Sequence, residues 1–411
     1  MITRMHRLSR DGWTIAAREL IPDGGDSLPV LVYLQGGPGM AAPRPLRIEG
    51  WIGAALEHYR VVLLDQRGTG HSSPLDTTNV AEPEVYTSLR APDIVADCEA
   101  LRDEMGVTSW NLLGQSFGGF IATCYMGLHP QRIDRAYITG GLPALSVGAD
   151  DIYRATYAAL ARRHAQFTAT VPFADSRIRE IAHHLATTEE YLPTGEQLTA
   201  RRFRTIGIEL GRAIGLKSLG YLLEEPFHTV RGEKRLTGAF LAEVGQLVSF
   251  AAHPLYAVVH ESIYAGLPAG VPTTAATNWS AHRMRAEVAG FAEDADPTSL
   301  ADPFYLTGEH IYPWLFTEDP ALVPFTTAAQ HLAAKEDWKP LYNLDGLAHA
   351  ETRVAAAIYT DDIYVPRQFS EETATYFRHC RTWVTGDYQH SGLRDDGATI
   401  FNRLHALLTE D

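Results

Sequence analysis

The stretch NLLGQSFGGF, residues 111–120, places one serine among several glycines directly after an apolar run. Residues 114–118, GQSFG, fit the pattern G-x-S-x-G, in which a serine nucleophile lies on a strained turn between a strand and a helix. Such a turn needs small residues on both sides, because the helix passes close to the strand there. The pattern also occurs in ordinary loops. The apolar run before it and the helical pattern after it favour Ser116 as a nucleophile.

A serine nucleophile requires backbone N–H donors that stabilise the negative charge of the tetrahedral intermediate. One predicted donor is the N–H of Phe117, the residue after the serine. The other should come from the loop after an earlier strand, and QGGPGM follows the apolar run LPVLVYL. Gly36 and Gly37 have no Cβ that would block access to the backbone N–H groups of that loop. We predict that the N–H of Gly37 is the second donor. An ordinary Gly-Pro turn is the alternative interpretation.

Short apolar runs alternate with helical patterns in the first third of the chain. The runs at 28–34, 60–65, 110–114 and 135–140 are typical of buried parallel strands, since they are apolar throughout and rich in β-branched residues. APDIVADCEALRDEM predicts a helix capped by Asp93, and GGFIATCYMGLHP predicts a helix that begins at Gly119. This alternation predicts a doubly wound α/β sheet.

The character of the chain changes after residue 145. Long helical patterns rich in alanine, arginine and histidine follow, with few recognisable strands. Sheet-like patterns return at VAAAIYTDD and TWVTG, and TIFNRLHALL predicts a final helix. We therefore predict an α/β core formed by residues 1–145 and 336–411, interrupted by a mostly helical cap, residues 146–335.

The composition limits the partners and the compartment. The chain has 411 residues and a formal charge of −15, which argues against nucleic acid or an anionic membrane as a partner. Its three cysteines form no CxxC pair, which indicates a reducing compartment and no thiolate metal site. The first residues contain no apolar targeting segment, and no apolar run is long enough to span a membrane. We expect a cytoplasmic enzyme that uses neither a metal nor a cofactor.

Three motifs give the chain a family resemblance. QGGPG, LLDQRGTGHSS and GQSFGGF, in this order, resemble the proline iminopeptidase (prolyl aminopeptidase) branch of the α/β-hydrolases. IYTDDIYV, DYQHSGLR and the cap segments LYAVVHESIYA and GEHIYPWLF resemble the larger subgroup of that branch, so the resemblance covers nearly the whole chain. It implies the α/β-hydrolase fold and short peptide substrates with a free N-terminus. Gln35 departs from the pattern, because many relatives have histidine before the glycines.

The triad of α/β-hydrolases follows the order serine, acid, histidine along the chain. His390 lies in GDYQHSGLRDDG, after the last predicted strand, where the general base belongs. His379 falls within a predicted helix, and His349 precedes the acid, so neither fits. We predict that His390 accepts the proton of Ser116.

The acid must follow the strand VAAAIYT, which leaves Asp361 and Asp362. Relatives carry a G-R-Y-D-x-x-x-P stretch here, and aligning its proline with Pro366 favours Asp362 as the triad acid. Asp361 would then cap the turn. The loop DQRGTGHSS, residues 65–73, resembles a structural bracket of the family, and we expect Arg67 to pair with Asp65 within it.

Two glutamates are predicted to bind the substrate's amino group. Glu261 in HESIY and Glu309 in GEHIYPW lie in segments that resemble the family's cap, where glutamates have this role. An aminopeptidase without a metal must pair the substrate ammonium with such groups, because an unpaired buried charge is costly. The alternative for each is a structural carboxylate that bonds to a cap backbone or an arginine.

The predicted activity is that of a serine aminopeptidase that releases N-terminal proline, and other small residues, through an acyl-enzyme. An esterase or amidase of the same fold is the principal alternative, because fold and triad do not fix the acyl donor. A metalloprotease is disfavoured, since HESIY begins like H-E-x-x-H but has Tyr264 at the second ligand position. A catalytically inactive binding protein is also disfavoured, because every triad position is filled.

Overall fold

The apolar runs of the chain form one mostly parallel sheet. The computed structural model describes residues 1–271 and 275–410. Its strands are β1 (Ile2–Arg10), β2 (Trp13–Ile21), β3 (Val30–Leu34), β4 (Arg60–Leu64), β5 (Trp110–Gln115), β6 (Ile133–Thr139), β7 (Phe227–Val230), β8 (Glu233–Leu236), β9 (Arg353–Tyr359) and β10 (Cys380–Thr385). Eight of them form a sheet in the order β1-β2-β4-β3-β5-β6-β9-β10. Pairing from β4 to β10 is parallel, and β2 runs antiparallel to β1 and β4. The predicted doubly wound sheet is confirmed.

Helices cover both faces of this sheet. The α-helices are α1 (Gly50–Leu56), α2 (Ala91–Glu104), α3 (Phe117–Leu128), α4 (Ala149–Thr170), α5 (Ala174–Thr187), α6 (Ala200–Arg204), α7 (Gly215–Leu222), α8 (Gly238–Val248), α9 (Pro254–Val259), α10 (Ser280–Met284), α11 (Leu315–Glu318), α12 (Thr326–Ala334), α13 (Leu344–His349), α14 (Arg367–Ala374), α15 (Gly392–Asp395) and α16 (Gly397–Thr409). Short 3-10 helices lie at Pro83–Ser88, Pro130–Arg132, Thr205–Gly211, Glu261–Ile263, Arg285–Glu287 and Val323–Phe325.

The two faces of the sheet bury alternate residues of the same strand. On β3, Val30, Val32 and Leu34 pack into the core with α2 and α3, whereas Leu31 and Tyr33 pack into the core with α1 and α16. Burial on both faces explains why the strand is apolar without interruption.

An antiparallel hairpin, β1–β2, extends the sheet at one edge and was absent from the prediction. Its turn contains Asp11 and Gly12, both with positive φ, and Arg10 pairs with Trp13. An Asp-Gly pair between two strand-like segments is a recognised hairpin signal, so the sequence did contain the information.

Two predicted helix starts were wrong. Helix α2 begins at Ala91 with Arg90 at its N-cap, so Asp93 lies within the first turn and does not cap the helix. The proline at position 92 suits the first turn, because it has no N–H that would need an acceptor there. Helix α3 begins at Phe117 and not at Gly119, so it starts directly after the serine.

The elements between β6 and β9 lie outside the large sheet. They are mostly helical, as expected, but they also include the unpredicted hairpin β7–β8. The division of the chain at residues 145 and 335 stays a prediction.

Buried Arg90 connects the core to this inserted segment. Its guanidinium donates to the carbonyls of Ser262 and Lys339, each at 3.2 Å, and lies 4.5 Å from the centre of the Trp338 ring. Burial lowers the pKa of Arg90 to about 10. These contacts fix the 3-10 helix Glu261–Ile263 against the start of α2.

The prediction that Arg67 pairs with Asp65 was wrong. The carboxylate of Asp65 accepts from the N–H of Ala42 at 3.0 Å and pairs with Arg44, whereas Arg67 Nε donates to Asp97 Oδ2 at 2.7 Å. The two side chains point to different neighbours, because Asp65 satisfies loop N–H groups and Arg67 reaches a buried carboxylate on α2. Both contacts still hold this loop at the end of β4.

Helix α3 crosses the ends of β3 and β6 at very short range. A Cβ on Gly118 would lie 1.9 Å from the carbonyl oxygen of Leu34, and one on Gly119 would lie 2.3 Å from that of Gly141. Only hydrogen fits at both positions. This close approach positions the start of α3, and with it Ser116, at the edge of the sheet.

Within the described ranges, none of the helices combines the length and apolar character that crossing a bilayer would need.

This crossing makes Gly118 a sensitive position. We expect Gly118→Ala to lower the free energy of unfolding by about 3 kcal/mol or more, because backbone atoms must move to admit the methyl group. Gly238→Ala is the control, since Gly238 begins α8 with nothing within 4 Å of its would-be Cβ. That variant should change stability by less than ~1 kcal/mol. Urea denaturation of the two variants measures the difference, and equal losses would contradict the close approach.

Candidate active site

Ser116 lies on the turn between β5 and α3 in a backbone conformation that residues with a side chain rarely adopt. Its φ is 55° and its ψ is −127°. Its N–H donates to the carbonyl of Thr139 at 3.1 Å, and its carbonyl accepts from Gly119 at 2.7 Å. Strained backbone of this kind persists only where the surroundings hold it, and it is concentrated at functional sites.

A hydrogen bond joins the side chains of His390 and Asp362. The distance from His390 Nδ1 to Asp362 Oδ2 is 2.7 Å, and both side chains are buried. The other carboxylate oxygen of Asp362 accepts the N–H groups of Tyr364 at 2.8 Å and Val365 at 3.0 Å. Because Nδ1–H donates to the carboxylate, the neutral imidazole carries its lone pair on Nε2, as a general base for serine requires.

The charge of Asp362 determines the basicity of His390. Burial lowers the pKa of the imidazole, but the charge of Asp362 and the hydrogen bond to it outweigh burial, so the pKa of His390 is raised. The imidazolium is therefore stabilised at the step where the ring accepts a proton.

The competing residues lie elsewhere. Asp361 is exposed and accepts from Gln166 Nε2 of α4 at 3.2 Å, so it is bonded to the cap and not to His390. His379 is exposed beside Glu351, at 3.3 Å, and His349 is exposed with its Nδ1 2.7 Å from the carbonyl oxygen of Asp345.

The two predicted oxyanion donors flank the serine. Phe117 begins α3, and Gly37 lies on the wall of the same cavity as Ser116. A Cβ on neighbouring Gly36 would lie 3.0 Å from Ser116 Cβ, so this loop packs directly against the serine. Within the part of the chain that the structure describes, neither the Gly37 nor the Phe117 N–H donates to a protein acceptor. Both remain available to a substrate oxygen.

Ser116, His390 and Glu309 share one cavity of about 620 Å³. Its wall comes from the core loops, from the cap and from the loop that carries His390. The residues that line it are Tyr33, Gln35, Gly37, Met40, Pro43, Trp51, Gln115, Ser116, Ile208, Glu209, Gly211, Arg212, Gln246, Leu247, Ser249, Phe250, Ala252, His253, Tyr256, Glu309, Tyr364, His390, Ser391, Leu393 and Arg394.

Glu309 presents a carboxylate to this cavity. Tyr256 Oη donates to Glu309 Oε1 at 2.5 Å. Burial raises the pKa of Glu309 to about 7, although the nearby His390 and the bond from Tyr256 act in the opposite direction. A carboxylate in this position is poorly solvated, so a cationic group in the cavity would pair with it strongly.

Glu261 does not reach the cavity wall. It is buried, and its Oε2 accepts from the N–H of Ala281, in the first turn of α10, at 3.3 Å. Its Oε1 has no hydrogen-bond partner among the described residues. Burial raises the pKa of Glu261. The predicted role of Glu261 in binding the substrate's amino group stays a prediction.

The residues of HESIY are not arranged as a metal site. His260 is buried against Tyr256, and burial lowers its pKa to about 3. Across residues 1–271 and 275–410, no group of three or more histidine, cysteine, aspartate or glutamate side chains is placed to hold a metal ion.

Two tyrosines complete the site and were not predicted. Tyr364 packs edge-on against His390, with ring centres 4.7 Å apart, and its hydroxyl donates to the carbonyl of Ile208 in the cap. Tyr256 donates a hydrogen bond to Glu309. Both lie in segments that resemble the family, IYTDDIYV and LYAVVHESIYA, but their partners are distant in sequence and no local pattern indicates them.

Comparison with known proteins first identifies the class. The family described as alpha/beta hydrolase fold matches residues 29–225, which include β3 to β6 and the serine turn. This agrees with the sheet order and with the position of Ser116 after β5.

The particular family follows from two relatives. Proline iminopeptidase of Aeromonas sobria is 40% identical over 92% of this chain and 87% of its own length. Proline iminopeptidase aneH of Aspergillus aculeatus is 28% identical over 92% of this chain and 85% of its own. The crystal structure of Mycobacterium smegmatis proline iminopeptidase covers 99% of this chain and 100% of its own at 15% identity, with a TM-score of 0.48. The chain belongs to the proline iminopeptidase family of α/β-hydrolases.

The pair Asp361 and Asp362 allows a matched test of the acid. Asp362→Asn should lower kcat for a prolyl amide by about 10⁴-fold, because the amide cannot orient and stabilise the imidazolium. Asp361→Asn removes an equal charge from the adjacent, exposed position and should change kcat by less than about twofold. Steady-state kinetics on both variants, with circular dichroism as a check of folding, measure the effect. The opposite ranking would assign the triad acid to Asp361.

Proposed function

We propose that this chain is a serine aminopeptidase that releases proline, and other small residues, from the N-terminus of short peptides. The observation that carries the proposal is the poorly solvated carboxylate of Glu309 in the cavity of Ser116 and His390. Membership of the proline iminopeptidase family supports the same activity. An esterase needs no carboxylate beside its nucleophile, because its substrate has no ammonium group to bind.

The proposed reaction begins with attack of Ser116 Oγ on the first carbonyl of the peptide. His390 takes the hydroxyl proton, and its imidazolium is stabilised by Asp362. The N–H groups of Gly37 and Phe117 stabilise the oxyanion of the tetrahedral intermediate. His390 then donates the proton to the leaving amine, which departs and leaves a prolyl ester on Ser116. Water, deprotonated by His390, hydrolyses this ester and frees proline.

Glu309 is proposed to select an N-terminal residue over an internal one. The secondary ammonium of the proline would pair with Glu309, and an acylated or internal nitrogen has no such charge. Glu261 is not among the residues that line the cavity, so we assign the principal contact to Glu309. Glu261 then supports the start of α10 through Ala281.

The cytoplasm is the proposed compartment. The three cysteines are all free: Cys98 and Cys124 are buried, and Cys380 is partly exposed. Free thiols are typical of proteins that work under reducing conditions.

Replacement of the nucleophile tests the chemistry. Ser116→Ala should lower kcat for prolyl amides by at least about a thousandfold, because no other group supplies the attacking oxygen. A serine-directed acylating reagent should label the wild-type protein at Ser116.

Comparison of prolyl, alanyl and N-acylprolyl amides tests the substrate class. Equal turnover of the N-acylated compound would favour an amidase or esterase over an aminopeptidase.

Replacement of Glu309 tests the ammonium contact. Glu309→Gln should raise KM for a prolyl amide by about tenfold or more, since a charge-assisted contact is lost. Hydrolysis of a small uncharged ester should change far less, because that substrate has no ammonium group. Glu261→Gln provides the comparison and should have the smaller effect on KM. Equal losses on amide and ester would indicate a damaged fold and would remove the assignment.

The raised pKa of Glu309 also predicts a pH dependence. Below pH 7 the carboxyl is largely protonated and cannot pair with ammonium, whereas above pH 7 it is ionised. The ratio of kcat/KM for the prolyl amide to that for the neutral ester should therefore rise as pH increases through about 7. The titration of His390 affects both substrates and cancels in this ratio. Glu309→Gln should abolish the rise, and its persistence there would contradict the prediction.

A further inference from the structure

The cavity wall carries two arginines in addition to the groups already described. Arg212 Nη1 pairs with Glu209 Oε1 at 3.1 Å, so the charge of Arg212 is partly neutralised within the protein. Arg394 follows His390 on α15 and is exposed. Its guanidinium has no hydrogen-bond or ion-pair partner among the residues that the structure describes.

Arg394 lies close enough to the reaction centre for its charge to matter there. The pKa of Glu209 is raised by burial and that of His390 by Asp362, and the positive charge of Arg394 acts against both increases. The adjacent Asp395 accepts a hydrogen bond from Ser391 Oγ and forms no ion pair with Arg394 among the described residues. Arg394 is therefore a cation on the cavity wall with which no carboxylate of the described residues forms an ion pair.

The cavity wall therefore has one negative and one positive side chain, which could bind the two oppositely charged ends of one ligand. Glu309 offers a negative group that accepts a hydrogen bond from Tyr256, and Arg394 offers a positive group on α15, directly after the loop that carries His390. A volume of about 620 Å³ is that of a site for a compact ligand of drug-like size, which for a peptide means a few residues. A short peptide with free ends has this arrangement of charges, with an ammonium at one end and a carboxylate at the other.

We propose that Arg394, assisted by Arg212, binds the C-terminal carboxylate of the peptide substrate. This inference rests on the proposed function and specifies its substrate class: zwitterionic peptides of about two to four residues. The N-terminal ammonium lies at Glu309, the first carbonyl lies at Ser116, and the chain after the scissile bond extends to Arg394. Arg394 takes no part in bond breaking. It selects the leaving peptide by length and by end charge.

The test compares peptides that differ only at the C-terminus. Prolyl-glycine, prolyl-diglycine and prolyl-triglycine are each used as the free acid and as the C-terminal amide, and released proline is quantified by chromatography. For the wild type, the ratio of kcat/KM for acid over amide should exceed one by about five- to tenfold at the length that reaches Arg394. Arg394→Gln should bring that ratio close to one.

Two further variants separate charge from packing. Arg394→Lys retains the charge and should keep part of the preference for the acid, although the paired hydrogen bonds of the guanidinium are lost. Arg403→Gln removes an equal charge from an exposed position on α16, outside the cavity, and should leave the ratio at the wild-type value. The wild-type ratio should also fall with added salt, because the contact is partly exposed.

The outcomes distinguish the inference from the function on which it rests. If the wild type releases no proline from any peptide, the proposed function is wrong. If it releases proline but the acid-to-amide ratio is the same in wild type and Arg394→Gln at every length, the carboxylate site is wrong and the aminopeptidase remains. A wild-type ratio that does not respond to salt also contradicts the carboxylate site.

Discussion

The site depends on one constraint, which is the close contact between the backbone at the start of α3 and the backbone that follows β3 and β6. The carbonyl of Leu34 at the end of β3 and that of Gly141 after β6 approach the helix so closely that only glycine fits at positions 118 and 119. Rearrangement of side chains cannot relieve such contacts, because no side chain is involved. They hold Ser116 at a positive φ and bring the Gly36–Gly37 loop against it, so nucleophile and oxyanion donors are positioned together.

The other half of the site is held by side chains that join the core to the cap. Asp362 fixes His390 and is itself fixed by backbone N–H groups, while Tyr364 packs on the imidazole and bonds to the cap at Ile208. Burial of Glu309 also removes water from its carboxyl group, which raises its pKa. The same burial strengthens its attraction for a cation, so the carboxylate is both harder to ionise and better as a partner once ionised.

The sheet and the serine turn were predictable because each has a local signature. Apolar runs buried on both faces identify β3 to β6, and the spacing of glycines identifies the turn at Ser116. The pairing of Arg67 was not predictable in this way, because Asp97 and Asp65 are both plausible partners in the sequence and only the path of α2 decides between them. The roles of Tyr256, Tyr364 and Arg394 depend on where the cap lies against the core, and no repeating pattern in the cap encodes that placement. Glu261 and Glu309 look alike in sequence, yet only Glu309 lies on the cavity wall.

The position of the cap within the chain has a consequence for biosynthesis. Ser116 precedes the cap, whereas Asp362 and His390 follow it and lie near the C-terminal end of the sequence. Synthesis proceeds from the N-terminus, so the serine turn and the segment between β6 and β9 are added before the imidazole of His390. A growing chain therefore carries Ser116 before it carries the base that is proposed to activate the serine. In the proposed mechanism, hydrolytic activity begins only after residue 390 has been added and its loop has folded against the serine turn.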